Sequence, residues 1–489
     1  MAGLWILLAA AVSVAAPAQV ASAQPKAKIV APATDARLEQ AAGAIDDGRY
    51  AVALELVGQA LKDGGLTSGD GDWAAYLKAR ALVGLGRGDD GETTVRERLA
   101  ANKNGYTWAS LVAIQTTRGR YQPAAQAILD LEEEEFILVN RLRPALIESI
   151  VGGLGEQAAL RDQLIMRLVE GRYAGPASQH VPDTLRLRYI NLLLRQHRIE
   201  DAARQTDGLE APAILSIVLT DKSFEALWEH PSVKALMLPG ALVARVERGV
   251  QVRLEQPSLS SSDWLELMRA LRVIGRADEA VRLGLHAVDQ AREEKRPAGP
   301  ALRLEIANAY ADLGQAWAAR RTAKALMSEE ASLPLSLRVS IAQILEQTGD
   351  DDGALLLLAT LEGEAKTSAV LKTTVCAAHD LGRTAKRDAA LAALEAAGDA
   401  APGDVFDAMV CSGQKDKAAA VLGKMFERPD LRTNAILTAQ LYADPVNPVA
   451  DQSDMRYRMK ALVATAAVQD AIKPYARSIA LPFTIANAR

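Results

Sequence analysis

The sequence predicts an all-α fold, an α-solenoid of stacked antiparallel helical hairpins, and three observations support this prediction. First, the 489 residues are 49% hydrophobic but only 4% aromatic, and Ala and Leu, which favour helices, dominate the apolar set. Second, apolar residues recur at helical spacing on both sides of Gly314, with Ile306 and Tyr310 before it and Ala319 and Ala323 after it. Third, a glycine in the same setting returns every 31–42 residues along most of the chain.

The recurring glycine marks the turn between the two helices of each pair. Ending a helix often requires a left-handed backbone, which glycine adopts without steric cost. Clear copies, each with Ala five residues later, begin at Gly48, Gly119, Gly275, Gly314, Gly349 and Gly413. His197 takes the place of glycine before Ala202, and weaker copies begin at Gly86, Gly155 and Gly382. The gap of 78 residues between His197 and Gly275 predicts a degenerate unit near residue 236.

The best copy reads Ile306-Ala307-x-x-Tyr310-x-x-x-Gly314-x-x-x-x-Ala319. This pattern resembles the tetratricopeptide repeat (TPR) family, whose units run near 34 residues. The resemblance covers roughly residues 36–430, although the aromatic residues of the leading helices are mostly missing and the unit lengths vary. It implies a curved stack in which the first helix of each unit lines a concave, protein-binding face.

Breaks in the repeat pattern predict the domain organisation. A segment containing LTDKSFEALWEHPSVKAL and a following Pro- and Ser-rich stretch interrupt the array, and they favour an irregular region or hinge. The predicted divisions are a signal peptide (1–23), a flexible lead-in (24–35), a first sub-array (36–209), an irregular helical segment (210–262), a second sub-array (263–430) and a C-terminal helical cap with a tail (431–489).

The N-terminus is typical of an exported protein. An apolar run from Leu4 to Ala16 is too short to span a bilayer, and it ends in a small-x-small pattern before Gln24. No Lys or Arg precedes the run, which leaves an uncleaved anchor as the alternative. We therefore predict a periplasmic or secreted protein without a transmembrane helix in its mature chain.

Composition and motifs argue against several function classes. The net charge of −5, without an evident basic face, does not favour nucleic-acid binding. HExxH, P-loop and GxSxG motifs are absent from the sequence, so we predict no enzyme, no cofactor and no metal.

The resemblance to the TPR family identifies candidate groove residues, which lie about 6, 3 and 2 positions before each turn glycine. These positions are mostly polar, with basic residues near Arg269 and acidic residues toward the C-terminus, and they indicate either a binding groove or an ordinary solvated face. The candidates are Asn191, Arg195, Arg269, Arg272, Asn308, Asp312, Gln343, Glu346, His379, Asp380 and Asp407.

The two cysteines, Cys376 and Cys411, occupy equivalent helices of adjacent units. In an exported protein they often pair, but helix axes 8–10 Å apart and an offset of about one turn argue against a disulfide. Two unpaired thiols are the alternative. A metal site that also uses His379 and Asp380 is conceivable, and catalysis by the Cys376 and His379 pair lacks an evident pocket.

The function predicted from the sequence is a non-catalytic exported scaffold that binds a protein or peptide partner in the cell envelope. The alternatives are an enzyme of envelope polysaccharide or peptidoglycan metabolism and a purely structural spacer. The enzyme hypothesis depends on Glu148-Ser149, which faintly resembles the catalytic pair of lytic transglycosylases. Basic residues after residue 455 indicate either solvated charges or a basic contact patch.

Overall fold

A computed structural model of the chain describes residues 36–46, 48–102, 104–175, 180–256, 259–293, 299–329, 333–361, 367–396, 401–444 and 450–484. The predicted signal peptide and lead-in lie outside the described residues. The chain divides into two compact units, Met1–Lys103 and Asn104–Arg489. This division falls inside the first predicted sub-array, and the domain boundaries given above stay predictions.

The first unit consists of two helical hairpins. Its helices are α1 (Ala36–Asp46), α2 (Tyr50–Asp63), α3 (Ser68–Gly84) and α4 (Gly88–Ala101). Each helix packs against the next, and α1 also packs against α3. Leu38, Val57 and Leu77 lie in the apolar core between them.

The second unit continues the helical pattern over the remaining described residues. Its first half contains α5 (Gly105–Thr117), α6 (Tyr121–Leu129), a 3₁₀ helix η1 (Phe136–Arg141), α7 (Pro144–Gly153), α8 (Ala158–Glu170), α9 (Asp183–Arg195), α10 (Ile199–Thr206), α11 (Pro212–Thr220), a 3₁₀ helix η2 (Lys222–Leu227), α12 (Pro231–Leu236) and α13 (Ala241–Leu254).

The second half contains five further hairpins and a C-terminal module. Its elements are α14 (Ser261–Val273), α15 (Ala277–Glu293), α16 (Pro300–Asp312), α17 (Ala316–Glu329), α18 (Leu335–Gln347), α19 (Asp351–Ala359), α20 (Ser368–Asp380), α21 (Thr384–Ala396), α22 (Pro402–Cys411), α23 (Lys415–Glu427), α24 (Pro429–Thr438), β1 (Leu441–Ala443), α25 (Ala450–Val463), α26 (Ala466–Ile472) and β2 (Ala480–Thr484). We call α14, α16, α18, α20 and α22 the leading helices. Each leading helix packs against the next leading helix and against its own hairpin partner. The predicted all-α fold of stacked hairpins is confirmed.

The turn at Gly314 shows why the glycine recurs. Its φ of 72° lies in the left-handed region. This conformation lets the amide of Gln315 donate to the Tyr310 carbonyl at 2.9 Å, which satisfies a carbonyl at the end of α16. The other repeat glycines also have left-handed φ values, and His197 adopts a φ of 60° in place of glycine. The predicted substitution of His for Gly is therefore confirmed.

The alanines five residues after the turn lie where the helices of a hairpin and its neighbours cross. All seven have no exposed surface: Ala53, Ala124, Ala202, Ala280, Ala319, Ala354 and Ala418. A larger side chain at these positions would force the closely packed helices apart. The small residues thus set the helix spacing, as the sequence pattern predicted.

Two units add an aromatic contact to this pattern. A β-carbon built on Gly84 would lie 2.5 Å from the Tyr50 ring, and one on Gly153 would lie 2.2 Å from the Tyr121 ring. In each case the tyrosine follows the turn residue by two positions, and the glycine is the last residue of a later helix, α3 for Gly84 and α7 for Gly153. The aromatic ring therefore requires glycine on its neighbour.

The repeat pattern changes between residues 210 and 262. Here the short helices α11, η2 and α12 precede α13, and a left-handed Gly240 joins α12 to α13. A helix pair thus occupies the position near residue 236 where the sequence predicted a degenerate unit. The C-terminal tail contacts this segment, since an isolated antiparallel bridge joins Asp221 to Ala476.

The C-terminal region contains a feature that the sequence did not predict. Strands β1 and β2 form a two-stranded parallel sheet. Two residues of the suggested basic patch have internal partners: Arg477 Nε donates to the Leu219 carbonyl at 2.6 Å, and Arg458 donates to the Cys411 carbonyl. The suggestion of a basic contact patch is therefore wrong for these two residues. Within the described ranges, no helix has both the length and the apolar character needed to cross a bilayer.

Candidate functional site

The leading helices bring most of the predicted groove residues into one row. Because each turn lies at the same place in its unit, the residues just before successive turns come next to one another across the stack. The row contains two polar clusters. The Arg272 cluster comprises Arg269, Arg272, Glu305 and Asp312, and the Glu346 cluster comprises Glu346, Asp351, Lys372, Asp380, Asp404 and Asp407.

The Arg272 cluster is a buried ionic network between α14 and α16. The Arg272 guanidinium, only 4% exposed, donates to Asp312 at 2.6 Å and to Glu305. Arg269 Nε lies 3.5 Å from the other Glu305 oxygen. Burial by itself lowers the pKa of Arg272, but the carboxylates of Asp312 and Glu305 raise it above its ordinary value. The network therefore keeps the charge on Arg272 and joins the two helices.

The residues of the Glu346 cluster lie on α18, α20 and α22 and at the start of α19. Burial raises the pKa of the Glu346 carboxyl to about 8, and the carboxylates of Asp351, Asp380 and Asp407 add to this rise. Lys372 acts in the opposite direction.

Lys372 also lies close to two further carboxylates of this cluster. Its Nζ lies 3.7 Å from Asp404 Oδ1 and 3.9 Å from Asp407 Oδ2. Among the six residues of this cluster, five carry carboxyl groups and one carries an amine.

The predicted residues differ in accessibility. Arg272, Asp312 and Asp407 are buried, so the expectation that they line a solvent-accessible groove is wrong for these three. They face the neighbouring leading helix, which the sequence of a single helix does not reveal. The remaining candidates keep exposed surface: Asn191, Arg195, Arg269, Asn308, Gln343, Glu346, His379 and Asp380.

Two of the candidates lie apart from this row, on α9. Arg195 is exposed and pairs with Asp162 at 2.9 Å, while Asn191 is partly buried.

The sequence did not predict three residues of the two clusters, Glu305, Lys372 and Asp404. Helical spacing contained a signal for Glu305, because it lies two turns before Asp312 on the same face of α16.

Cys376 and Cys411 form a disulfide, which resolves the alternative left open by the sequence. Their Cα atoms are 5.4 Å apart, and both residues are buried. The expectation from axis spacing was too pessimistic, because each Cα lies about 2.3 Å from its helix axis. Two Cα atoms that face each other are thus about 4.6 Å closer than the axes. The bond also removes the thiols that the conceivable metal site required.

Glu148, the residue behind the enzyme hypothesis, lies on α7 in an ion pair. Its carboxylate is 3.1 Å from Arg188 and accepts a hydrogen bond from Thr184 at 2.6 Å. Both partners lie on α9, so these contacts join α7 to α9 and account for Glu148 as a structural residue. This geometry gives the enzyme hypothesis no support.

Comparison with known proteins finds structural likeness without sequence relatives. No protein-family profile matches the chain, and no curated protein sequence matches it significantly.

Solved helical-repeat structures are similar to the chain at low identity. The Cut9-Hcn1 hetero-tetramer of the APC/C is 11% identical over 89% of this chain and 94% of that chain, with a TM-score of 0.29. The pentatricopeptide repeat protein PPR10 from maize is 10% identical over 83% and 70%, with a TM-score of 0.29. The TPR domain of P58(IPK) is 13% identical over 80% and 99%, with a TM-score of 0.20. Likeness at this level carries no argument about function.

Proposed function

We propose that this chain is a non-catalytic scaffold that binds a protein or peptide along its leading helices. The observation that carries the proposal is the row of accessible polar side chains on consecutive leading helices: Arg269 on α14, Asn308 on α16, Gln343 and Glu346 on α18, and Asp380 on α20. The adjacent buried ion pairs hold these helices in place. The accessible residues thus project from a fixed support, which reduces the entropy cost of binding.

The charge of this row gives the partner a direction. Arg269, with a side chain 53% exposed, provides positive charge at the α14 end. Asp380, whose carboxylate helps to raise the pKa of Glu346, provides negative potential at the other end. A segment with acidic residues facing α14 and basic residues facing α20 fits this polarity, because complementary charges steer association and set its direction.

The test is a comparison of matched variants in crosslinking pull-down from the cell envelope. We expect Arg269→Gln and Asp380→Asn each to reduce recovery of a partner that the unchanged chain captures. Arg282→Gln is the control, since Arg282 is an exposed arginine on α15 whose side chain pairs with Asp278. Equal recovery with all three variants would contradict the proposed surface. Failure of the unchanged chain to capture any partner would favour a structural spacer.

We also propose that the chain is exported and that its partner lies in the cell envelope. The apolar N-terminal run before Ala23 supports export. The disulfide between Cys376 and Cys411 supports an oxidising compartment, because cytosolic thiols are normally kept reduced. N-terminal sequencing of the protein from fractionated cells tests this directly. We expect Gln24 as the first residue in the exported fraction, and an intact Met1 in the cytosol would contradict export.

A further inference from the structure

The strongest departure from a simple solenoid lies at the C-terminal tail. In a repeat array each unit contacts its neighbours, so distant units do not touch. Here Arg477 contacts Leu219, 258 residues earlier, and Thr484 contacts Arg272, 212 residues earlier. Helix α24 also packs against α11. The two ends of the segment between α11 and α24 therefore meet.

The first tail contact completes the end of α11. The Leu219 and Thr220 carbonyls lie in the last turn of α11, where no later amide of the helix can donate a hydrogen bond to them. Arg477 fills this role, because its Nε donates to the Leu219 carbonyl at 2.6 Å and its amide donates to the Thr220 carbonyl at 2.9 Å. The guanidinium carbon lies 4.0 Å from the centre of the Trp228 ring, a cation–π contact.

A second backbone hydrogen bond between the tail and η2 strengthens this contact, and here the tail accepts. The Lys222 amide donates to the Tyr475 carbonyl at 2.9 Å. The Tyr475 ring stacks on Phe426 with centroids 6.0 Å apart, and the Arg432 guanidinium lies 4.6 Å from the ring centre. The tail thus bonds to η2 on one side and packs on α23 and α24 on the other.

A second tail contact reaches α14. The Thr484 hydroxyl donates to the Arg272 carbonyl at 3.0 Å, and it lies 3.3 Å from the Val273 carbonyl. Leu481 and Phe483 are buried beside it. Because Arg272 also belongs to the buried ionic network, the tail ends against the helix that begins the row of accessible polar residues.

We propose that residues 475–484 act as a clasp that holds together the two ends of the segment from α11 to α24. The leading helices α14 to α22 lie between the two clasped ends. Opening the stack by bending therefore requires the tail to detach from α11 and α14. The clasp fixes the spacing of the leading helices. The clasp itself stands on the contacts above, and only its effect on binding rests on the proposed function.

Hydrogen exchange of the full chain tests the clasp, with Arg477→Ala as the main variant. We expect exchange of the Lys222 amide to become about tenfold faster or more, as loss of a charged hydrogen bond implies. Exchange should also become faster at the end of α11, and the radius of gyration measured by X-ray scattering should increase. Lys473→Ala is the control, since Lys473 is exposed and pairs with Asp470 on its own helical turn. Unchanged exchange outside the tail would overturn the proposal.

Two further variants separate the clasp from general destabilisation. Arg477→Lys keeps the charge but loses the planar stack on Trp228, so we expect a smaller effect of the same kind. Thr484→Val removes the hydroxyl while nearly keeping the shape, and it should speed exchange at Ile274 and Gly275. If Arg477→Ala does not fold, these two variants decide: faster exchange at α11 or α14 supports the clasp, and unchanged exchange overturns it.

Partner recovery distinguishes the clasp from the binding proposal. If Arg477→Ala opens the stack and recovery falls, both proposals are supported. If the stack opens and recovery is unchanged, the clasp stands and the leading-helix groove fails as the binding surface. If neither exchange nor scattering changes, the clasp fails whatever the recovery.

Discussion

The two polar clusters both bring charged side chains close together between neighbouring helices, but they differ in how these charges are paired. In the Arg272 cluster, two guanidinium groups face two carboxylates, and the buried charges have partners at short distance. In the Glu346 cluster, carboxyl groups from four helices interact with one another or with Lys372. The first arrangement pairs its buried charges at short distance, whereas in the second burial and neighbouring carboxylates raise the pKa of Glu346.

The difference teaches which polar residues of a repeat array serve the fold. A balanced buried network gains little from a partner, because its groups are already paired. A partly exposed group of carboxyl side chains can interact favourably with an incoming cation, which would lower the pKa of Glu346. The buried residues Arg272, Glu305 and Asp312 thus serve the fold, whereas the exposed Arg269 and the Glu346 cluster are the candidates for recognition. This division also explains why part of the predicted groove is buried.

The largest effect that we expect comes from breaking the balanced cluster. Arg272→Met leaves Glu305 and Asp312 buried without their main cation, so it should destabilise the fold by about 3–5 kcal/mol. Urea denaturation followed by circular dichroism measures this loss. Arg269→Met, at a site 53% exposed, is the control and should cost at most about 1 kcal/mol. Similar losses for the two variants would mean that burial does not distinguish these arginines.

The second largest loss of stability is expected on removing the disulfide, which lies close to the Glu346 cluster in sequence and joins two of its helices. It joins α20 to α22 across 35 residues, and removing it should cost about 3–4 kcal/mol through the added entropy of the unfolded chain. Denaturation of the unchanged chain with and without reductant measures this. The double variant Cys376→Ala and Cys411→Ala should be equally unstable in both conditions. A reductant-insensitive wild type that shows two free thiols would disprove the bond.

The third prediction concerns how the stability of the fold depends on pH through Glu346. The folded chain holds the Glu346 proton up to about pH 8, whereas the unfolded chain releases it near its ordinary pKa of 4.5. The folded state therefore binds more protons between these values, and this group makes stability fall as pH rises from about 4.5 to 8.

Glu346→Gln isolates this contribution. It should remove the fall and stabilise the chain at pH 8 by about 1–3 kcal/mol, a range reduced for partial solvent exposure. Glu395→Gln, on α21, changes a carboxylate in a surface pair with Lys417 and serves as the control. A pH profile that is the same for Glu346→Gln and the unchanged chain would show that the cluster is not strained by charge.

The sequence predicted the repeated local geometry well, because that geometry depends on residues only a few positions apart. The turn at Gly314, the left-handed His197 and the buried alanine five residues after the turn each depend on a few neighbouring residues. The contacts of Arg477 and Thr484 span more than 200 residues and follow no period. A periodic pattern contains no information about where such a tail docks.

The candidate site was predicted less completely for a related reason. The family resemblance selects positions before each turn, but it treats every leading helix as if the neighbouring one were absent. Whether Arg272 is accessible depends on Glu305 and Asp312 of the next helix, and Asp407 similarly faces α20. Charge complementarity between equivalent positions of adjacent units would have identified the buried network from the sequence.

The smallest effect that we expect comes from Lys372, the cation of the Glu346 cluster. Lys372→Met removes the positive charge 3.7 Å from Asp404 and 3.9 Å from Asp407, and it should cost about 1 kcal/mol or less at pH 8. The loss should be smaller at pH 5, because Glu346 is then more fully protonated in the folded chain and needs less compensation.

Lys417→Met is the matched control for this prediction, since Lys417 forms an exposed surface pair and should show no such pH difference. The interaction is specific if the pH difference for Lys372→Met shrinks when Glu346→Gln is also present, as coupling between neighbouring groups requires. If the two substitutions act additively at both pH values, Lys372 does not compensate Glu346. Packing and the disulfide, rather than Lys372, would then hold the Glu346 cluster together. A cationic group of a partner would accordingly be less favoured there.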